Sequence, residues 1–475
     1  MNIAPTNSTP DSSESSAHLG FVLLISSVAA IGGLLFGYDS GCINGTVEAL
    51  KTAFGSSDVA SGFNVASILL GCAVGAFLAG RIADKFGRRA ALFAAAVLFA
   101  LGAWGAGAAF NSAVFIVARL IGGFAVGAAS VIAPAYISEV SPTAYRGRLA
   151  SLQQLGIVLG LFLAFLANYL IARAAGSANS RFWFDFPAWR WMFWVQLIPI
   201  SFFFLGLFLI PESPRYLVSA GDLAGARNVL MMVSDASTVE GKIVEIQKTL
   251  KVDHRPSLRD LYHSVTGKMH PIVWVGLSIA ALQQLVGINV VFYYGEILWR
   301  AAGFSEGDAL KINVIGGVIN VASTLIAIAL VDKWGRKPLL ITGSIGMAIT
   351  LGLLAVIFGT AHVAAGGALQ LSAKAGLTAL ISANAYIVAF GMSWGPVMWV
   401  LLGEMFPNQM RGAALAVAGL SQWGTNFLVT MTFPLMLRSI GLGGAYGLYA
   451  GFALISLFVV RAIVPETKGR TLEQM

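Results

Sequence analysis

The chain has 475 residues, of which 57% are hydrophobic and only 11% charged, with a formal charge of +8. Water-soluble domains carry about 25% charged residues, so this chain has too few charges to cover a water-facing surface, and a soluble enzyme is excluded as the natural class. The basic excess lies in short patches between apolar runs, unlike the stripe of a nucleic-acid binder, and two cysteines, Cys42 and Cys72, exclude a disulfide framework, a Cys-rich metal site or an iron–sulfur centre.

Residues 1–18 are rich in Ser, Thr, Pro and Asn and lack Lys and Arg, which reads as a disordered tail without the basic start of a signal peptide. A spanning helix needs about 20 mostly apolar residues. Six such runs come next, at 19–41, 62–80, 90–110, 113–135, 149–172 and 189–210. A polar, charged connection occupies 211–270, and its 222–250 stretch has the pattern of short amphipathic helices. Six further runs lie at 271–297, 311–331, 337–359, 377–403, 412–436 and 444–464, before a tail at 465–475. The expected architecture is an all-α membrane protein with a six-helix half at 19–210, a linker at 211–270 and a second half at 271–464. With the N-terminus inside, the cytoplasmic loops hold 20 Lys and Arg and the external loops 8. The positive-inside rule therefore puts both termini in the cytoplasm.

The halves repeat each other. GRIADKFGRRA at 80–90 matches ALVDKWGRKPL at 329–339, aligning Asp84 with Asp332. ISEVSPTAYRG at 137–147 matches LGEMFPNQMRG at 402–412, so Glu139, Pro142, Arg146 and Gly147 recur as Glu404, Pro407, Arg411 and Gly412. PESPR at 211–215 echoes PETKG at 465–469. A duplicated six-span half points to a transporter with its substrate site near mid-membrane, between the halves.

These motifs, together with GGLLFGYD at 32–39, PAYISE at 134–139, QQLVGINVVFYY at 283–294 and GPVMW at 395–399, resemble the sugar porter family of the major facilitator superfamily over about residues 20–470. The nearest likeness within it is to bacterial proton-coupled sugar porters and facilitative glucose transporters. The resemblance implies the major facilitator fold, twelve helices in two pseudo-symmetric halves, and import of a monosaccharide, a hexose such as glucose or else xylose, together with a proton. Passive sugar transport on the same fold is the alternative. Short exterior loops point to a bacterial plasma membrane.

A sugar hydroxyl both donates and accepts, and so does a Gln or Asn amide. The resemblance places Gln154, Gln283, Gln284, Asn289, Tyr293, Asn320, Trp399, Gln422 and Trp423 around the sugar, with Phe36 lining the same cavity. Tyr294, Trp394 and Asn426 are nearby candidates. Read from the residues alone, such amides serve equally to bridge helices, and the aromatic rings to pack them. Gln284 and Asn289 are five residues apart, about 140° around an ideal helix, so one cavity sees both only if it is wide or the helix bends, and Gly287 offers a bend. Two positions depart from relatives. Leu161 stands where bacterial xylose symporters of the family carry a second Gln, and Gly391 where animal facilitators carry a Glu.

Asp39 and Arg119 are charges set in apolar helices, where isolated charges are costly and are paired or functional. The resemblance pairs them and implies that protonation of Asp39 releases Arg119. The alternative is a static strut between the first and fourth helices. Asp84, Arg88, Arg89, Glu139, Arg146 and Glu212, with Asp332, Arg336, Glu404, Arg411 and Glu466 in the second half, form the expected gating salt-bridge network, or else simply anchor topology. In the family this network latches the halves together on the inner side. No nucleotide-binding loop, intramembrane His relay, nucleophile or metal set is present in the sequence. No cofactor or metal is expected, the proton being the coupling ion, and the expected partners are a monosaccharide and the lipid bilayer, without nucleic acid or an obligate protein. A non-transporting sensor, which in this family carries long cytoplasmic extensions, is not expected of a sequence that stops at Met475, and an exporter of drugs or organic ions fits this set of amides poorly.

Overall fold

Inside a bilayer, water no longer drives helices together, and small residues let backbones touch instead. Gly33, Gly37 and Gly41 recur every fourth residue in the first span, and Gly156 and Gly160 do so in the fifth. The computed structural model lays these faces against each other. A β-carbon at Gly37 would stand 1.8 Å from the Ile157 carbonyl oxygen, and one at Gly160 would stand 1.9 Å from that of Leu34. Only glycine fits at this crossing, which carries Asp39 between its close-approach points. The second and fourth spans repeat the device, with Gly71 and Gly75 against Gly123 and Gly127.

The structure describes residues 19–141, 146–234, 236–252, 257–263, 266–363, 369–407 and 409–468. Pro142 and both tails, 1–18 and 469–475, lie outside the described residues, and of Arg146 only the backbone is described. The first five spans are Leu19–Cys42, Asp58–Phe86, Arg88–Ala108, Ser112–Val140 and Arg146–Ala175. The eighth and ninth are Glu306–Trp334 and Arg336–Gly359. Three others are interrupted, where the hydropathy pattern read them as continuous. The sixth consists of Ala188–Trp194 and Leu197–Gly206, the tenth of Ala373–Gly391 and Trp394–Met405, and the seventh of Pro271–Leu285, Ile288–Tyr293 and Gly295–Ala301. Apolar runs reveal length but not continuity, because a break costs no hydrophobicity.

Eleven helical stretches among the described residues are long and apolar enough to cross a membrane. The last, Arg411–Ile463, has 53 residues, about 80 Å of helix at 1.5 Å per residue. That exceeds a bilayer of about 30 Å. It breaks at Gly441 (φ 67°, ψ −179°), so it supplies the eleventh and twelfth spans. The linker holds the helices Pro214–Ser219, Leu223–Val233 and Ala236–Val252, joined over a small core of Leu230, Val239 and Ile243. A short antiparallel pair, His362–Val363 with Leu369–Gln370, comes after the ninth span.

The apolar core is asymmetric along the membrane normal. One cluster fills the second half over its whole length, from Tyr294 and Phe433 to Phe406 and Val464, and extends into the first half through Ile43, Phe115 and Phe165 at the end away from the termini. At the terminal end, the first half has its own cluster around Val22, Leu92, Phe99 and Tyr136, joined from the second half by Trp423.

Candidate functional site

The break in the seventh span builds the site. Gly287 takes a left-handed backbone (φ 84°), ending one helix at Leu285 and starting the next at Ile288. The two amides that an ideal helix would point apart then meet. Asn289 donates to the Gln284 side-chain oxygen, Gln284 donates to that of Gln283 at 3.0 Å, and Gln283 donates to the Trp394 carbonyl at 2.8 Å. That carbonyl lies at the break in the tenth span. Gln283 and Gln284 are buried, while Asn289 is partly exposed. The partly exposed end of this chain is the Asn289 amide, which both donates and accepts, the chemistry a polyhydroxylated ligand needs.

Tyr293 joins the site to the first half. Its hydroxyl has Asn426 and Ser40, the residue after Asp39, as polar neighbours. Ser40 carried no signal in the sequence, because a serine in a Gly-rich helix is ordinary until its neighbour is known. Phe36 and Trp423 face each other across the halves, with ring centroids 5.7 Å apart. Gln422 is buried and its carbonyl oxygen has no hydrogen-bond partner. Gln154 is half-buried on the fifth span, beside Gln153, whose amide is buried without a partner and packs at Gly33. Trp399 is 38% exposed. The nearby candidates Tyr294 and Trp394 are instead tied into packing. The Tyr294 hydroxyl donates to the Thr430 carbonyl, and the Trp394 indole donates to Leu340 and Ser344.

Both departures from relatives have local causes. Leu161 is buried against Gly41, two residues past Asp39. A β-carbon at Gly391 would stand 2.9 Å from that of Ser323 and 3.2 Å from the Asn320 side-chain oxygen. A glutamate has no room there, and buried Asn320 faces that glycine instead.

Asp39 and Arg119 do pair. Arg119 Nη1 donates to Asp39 Oδ1 at 2.9 Å, and the side chains are 2% (Arg119) and 7% (Asp39) exposed. Asp39 Oδ2 and Arg119 Nε have no hydrogen-bond partner, so the pair is desolvated yet uses only part of its bonding capacity. Gln196, at the break in the sixth span, is a polar neighbour of Asp39 that sequence reasoning missed.

At the terminal end the charge motifs form two matching clusters, each within its own half. Arg88 makes a forked pair with Glu139 (3.1 and 3.2 Å) and also meets Asp84 (3.0 Å). Arg336 repeats this with Glu404 (2.9 and 2.7 Å) and Asp332 (3.0 Å). Glu212 accepts the backbone N–H groups of Arg88 and Arg89, and Glu466 those of Arg336 and Lys337. Each therefore caps the positive N-terminus of a neighbouring helix as well as its own PES or PET turn, where Glu212 accepts the Ser213 N–H and Glu466 that of Lys468. Burial disfavours the charged Glu466 carboxylate, but the N–H groups of Lys468, Arg336, Lys337 and Thr467 outweigh it and hold its pKa below the usual carboxylate value. Two partners were missed: Ser213 donates to Glu139 and Thr467 to Glu404. Glu404 pairs with Arg336 and not with Arg411, whose guanidinium donates to its own loop at the Phe406 carbonyl. Arg89 likewise donates to the Leu207 carbonyl at 2.9 Å.

The opposite end is bolted across the halves. Asn44 donates to the Phe292 carbonyl at 2.8 Å and accepts from the Asn313 amide at 2.7 Å and from the Glu296 N–H at 3.2 Å. Glu306 accepts the Ala178 N–H, and Asp58 pairs with Arg438. The molecule is thus held shut away from its termini, with the amide chain on the terminal side of the bolt.

Comparison with known proteins gives this arrangement its family. The model describing "Sugar (and other) transporter" matches residues 25–475. The glucose transport protein of a Synechocystis strain is 54% identical, over 99% of this chain and 100% of its own. The chain belongs to the sugar porter family of the major facilitator superfamily. It is a transporter, not an enzyme, and a multi-pass membrane protein. The D-xylose–proton symporter of Escherichia coli K12 is 38% identical, over 96% of this chain and 95% of its own. Among solved structures, the inward-open conformation of the xylose transporter XylE from E. coli superimposes with a TM-score of 0.81, at 37% identity over 95% of this chain and 98% of that one. XylE bound to 6-bromo-6-deoxy-D-glucose scores 0.77, at 36% identity over 96% and 98%.

Proposed function

We propose that this porter imports a monosaccharide, glucose or xylose, together with a proton by alternating access, from a plasma membrane with both termini in the cytoplasm. The observation that carries the reading is the placement of the ion pair one residue from the sugar-side network. Asp39 is bonded to Arg119, and the next residue, Ser40, is a polar neighbour of Tyr293, as is Asn426. The Gln283–Gln284–Asn289 chain, with Gln154, Asn320, Trp399, Gln422, Trp423 and Phe36 around it, supplies the sugar contacts. The amides take the hydroxyls and the rings take the apolar faces of the pyranose.

In this reading the bolted end is external and the structure is open to the cytoplasm. A proton on Asp39 removes the charge that holds Arg119 and frees Ser40 and Tyr293 to follow the sugar. Proton loss to the cytoplasm restores the 2.9 Å pair. The clusters around Arg88 and Arg336, each closed within its half here, meet when the cytoplasmic side shuts, and exchange between those arrangements gates the cycle. Passive sugar transport is the second reading, supported by the burial of both members of the pair, which suits a strut.

Sealed proteoliposomes decide between the readings. D-glucose, then D-xylose, is added outside with no pH gradient, and external pH is monitored for wild type and Asp39→Asn. Alkalinisation with one sugar in wild type, lost in the variant, establishes symport and names a substrate. Equilibration of labelled sugar without a pH change refutes coupling.

A further inference from the structure

The connection into the sixth span carries the run RFWFDFPAWRW at 181–191, to which the proposed transport cycle assigns no role. It folds as a tight hairpin. Phe182 donates its N–H to the Phe186 carbonyl at 2.8 Å, and Arg181 bridges antiparallel to Pro187. At the tip, Phe184 (φ 53°) and Asp185 (φ 60°) both have left-handed backbone, the only non-glycine positions that do among the described residues. Such hairpin tips favour Asn-Gly, because a β-carbon is disfavoured there. A phenylalanine kept in this conformation and 84% exposed is an outlier that demands a cause. Arg181 fastens the tip by donating to the Asp185 carbonyl and carboxylate.

The rings form one face. Trp183 stacks on Phe182 (4.9 Å) and meets Trp191 edge-on (5.5 Å), and Trp191 meets Trp194 edge-on (5.2 Å). Trp194 donates to the Trp104 carbonyl in the third span. Exposed apolar side chains continue from there along both helices, through Leu101 and Trp104 in the third and Ile198 and Phe202 in the sixth. In a membrane-spanning chain, such a wall is lipid contact. The hairpin continues that wall at the end away from the termini and does not open onto the amide site. Tryptophan concentrates where acyl chains meet headgroups, since its ring is apolar and its N–H needs a wet partner.

We propose that this aromatic hairpin is a membrane anchor that inserts Trp183 and Phe184 at the headgroup–acyl boundary of the leaflet opposite the termini, and so holds the first half at fixed depth. The strained tip is the means of projecting Phe184 into that boundary.

The test uses the full chain in nanodiscs of phosphatidylcholine and phosphatidylglycerol, with a nitroxide at Phe184→Cys. Cys42 and Cys72 are buried, and wild type taken through the same labelling gives the background. Collisions with oxygen, which partitions into acyl chains, are compared with those of a water-soluble nickel chelate. Phe202→Cys on the apolar wall and Gly241→Cys on the linker serve as references. The label at 184 is expected to show an oxygen-to-nickel ratio several-fold above position 241 and below position 202, as a boundary site requires. A ratio equal to that at 241 overturns the proposal. So does a label open to nickel that D-glucose then shields, which would make the face a carbohydrate platform. Trp183→Cys repeats the measurement with the tip intact, so a misfolded Phe184 variant leaves the question decidable. The readout needs no transport, so it stands or falls separately from the proposed function.

Discussion

Replacing Gly287 by alanine probes the device on which the candidate site rests. The left-handed backbone at 287 (φ 84°) costs a residue with a β-carbon about 1–2 kcal/mol. That β-carbon would also stand 2.6–2.9 Å from the Tyr449 ring, and overpacking of this kind costs about 1–3 kcal/mol. Keeping the break therefore costs roughly 2–5 kcal/mol. The chain's escape is to straighten the helix, which swings Asn289 about 140° from Gln284 and breaks the amide chain. Either route weakens the site. With about 1.4 kcal/mol per decade of affinity, sugar binding by isothermal titration is expected to fall at least about tenfold, with a lowered melting temperature. Asn289→Ala should lose affinity without the loss of stability, and adding it to Gly287→Ala should cost less than the two losses combined, because both act on the same bond. Wild-type affinity and melting temperature in Gly287→Ala would refute the claim that the break positions the amides.

Further predictions test other parts of the molecule. Gly37→Val drives side-chain atoms into the Ile157 carbonyl and should abolish folded protein on size-exclusion chromatography, whereas Gly424→Ala, with open space around it, should elute as wild type. Asn44→Ala removes three hydrogen bonds between the halves, each worth about 1 kcal/mol. It should shift the balance toward a state open away from the termini, read as increased thiol labelling of cysteines placed at that end, and unchanged labelling would count against the bolt. Glu466 has a lowered folded pKa, so its stabilisation is fully present above the ordinary carboxylate value and disappears as pH falls through that value and then through the folded one. Melting temperature should accordingly fall less between neutral and acidic pH in Glu466→Gln than in wild type, and parallel curves would refute this. Glu404→Ala strands Arg336, which is mostly buried and forked onto it, and should lower the melting temperature more than Asp332→Ala, whose carboxylate is 80% exposed.

Composition and residue order by themselves determined the spans and the internal repeat. Apolar length specifies the twelve spans, and the repeated loops make Asp84 equivalent to Asp332 and Glu139 to Glu404. The Asp39–Arg119 pair was legible too: charges at such depth are paired or functional, and the family resemblance pairs these two. The pairing of Glu404 was less legible. Arg411 and Arg336 are both reasonable partners in sequence, and only the packing of the ninth span beside the tenth selects Arg336. Tertiary structure also decided where helices break, since a break leaves hydropathy unchanged. That decision brought Gln284 to Asn289 and put Gln196 beside Asp39. Ser40, Asn44 and the strained Phe184 tip were silent for a related reason. A small polar residue or an exposed ring acquires meaning from what stands opposite it, and that is a property of the assembled helices and not of any one of them.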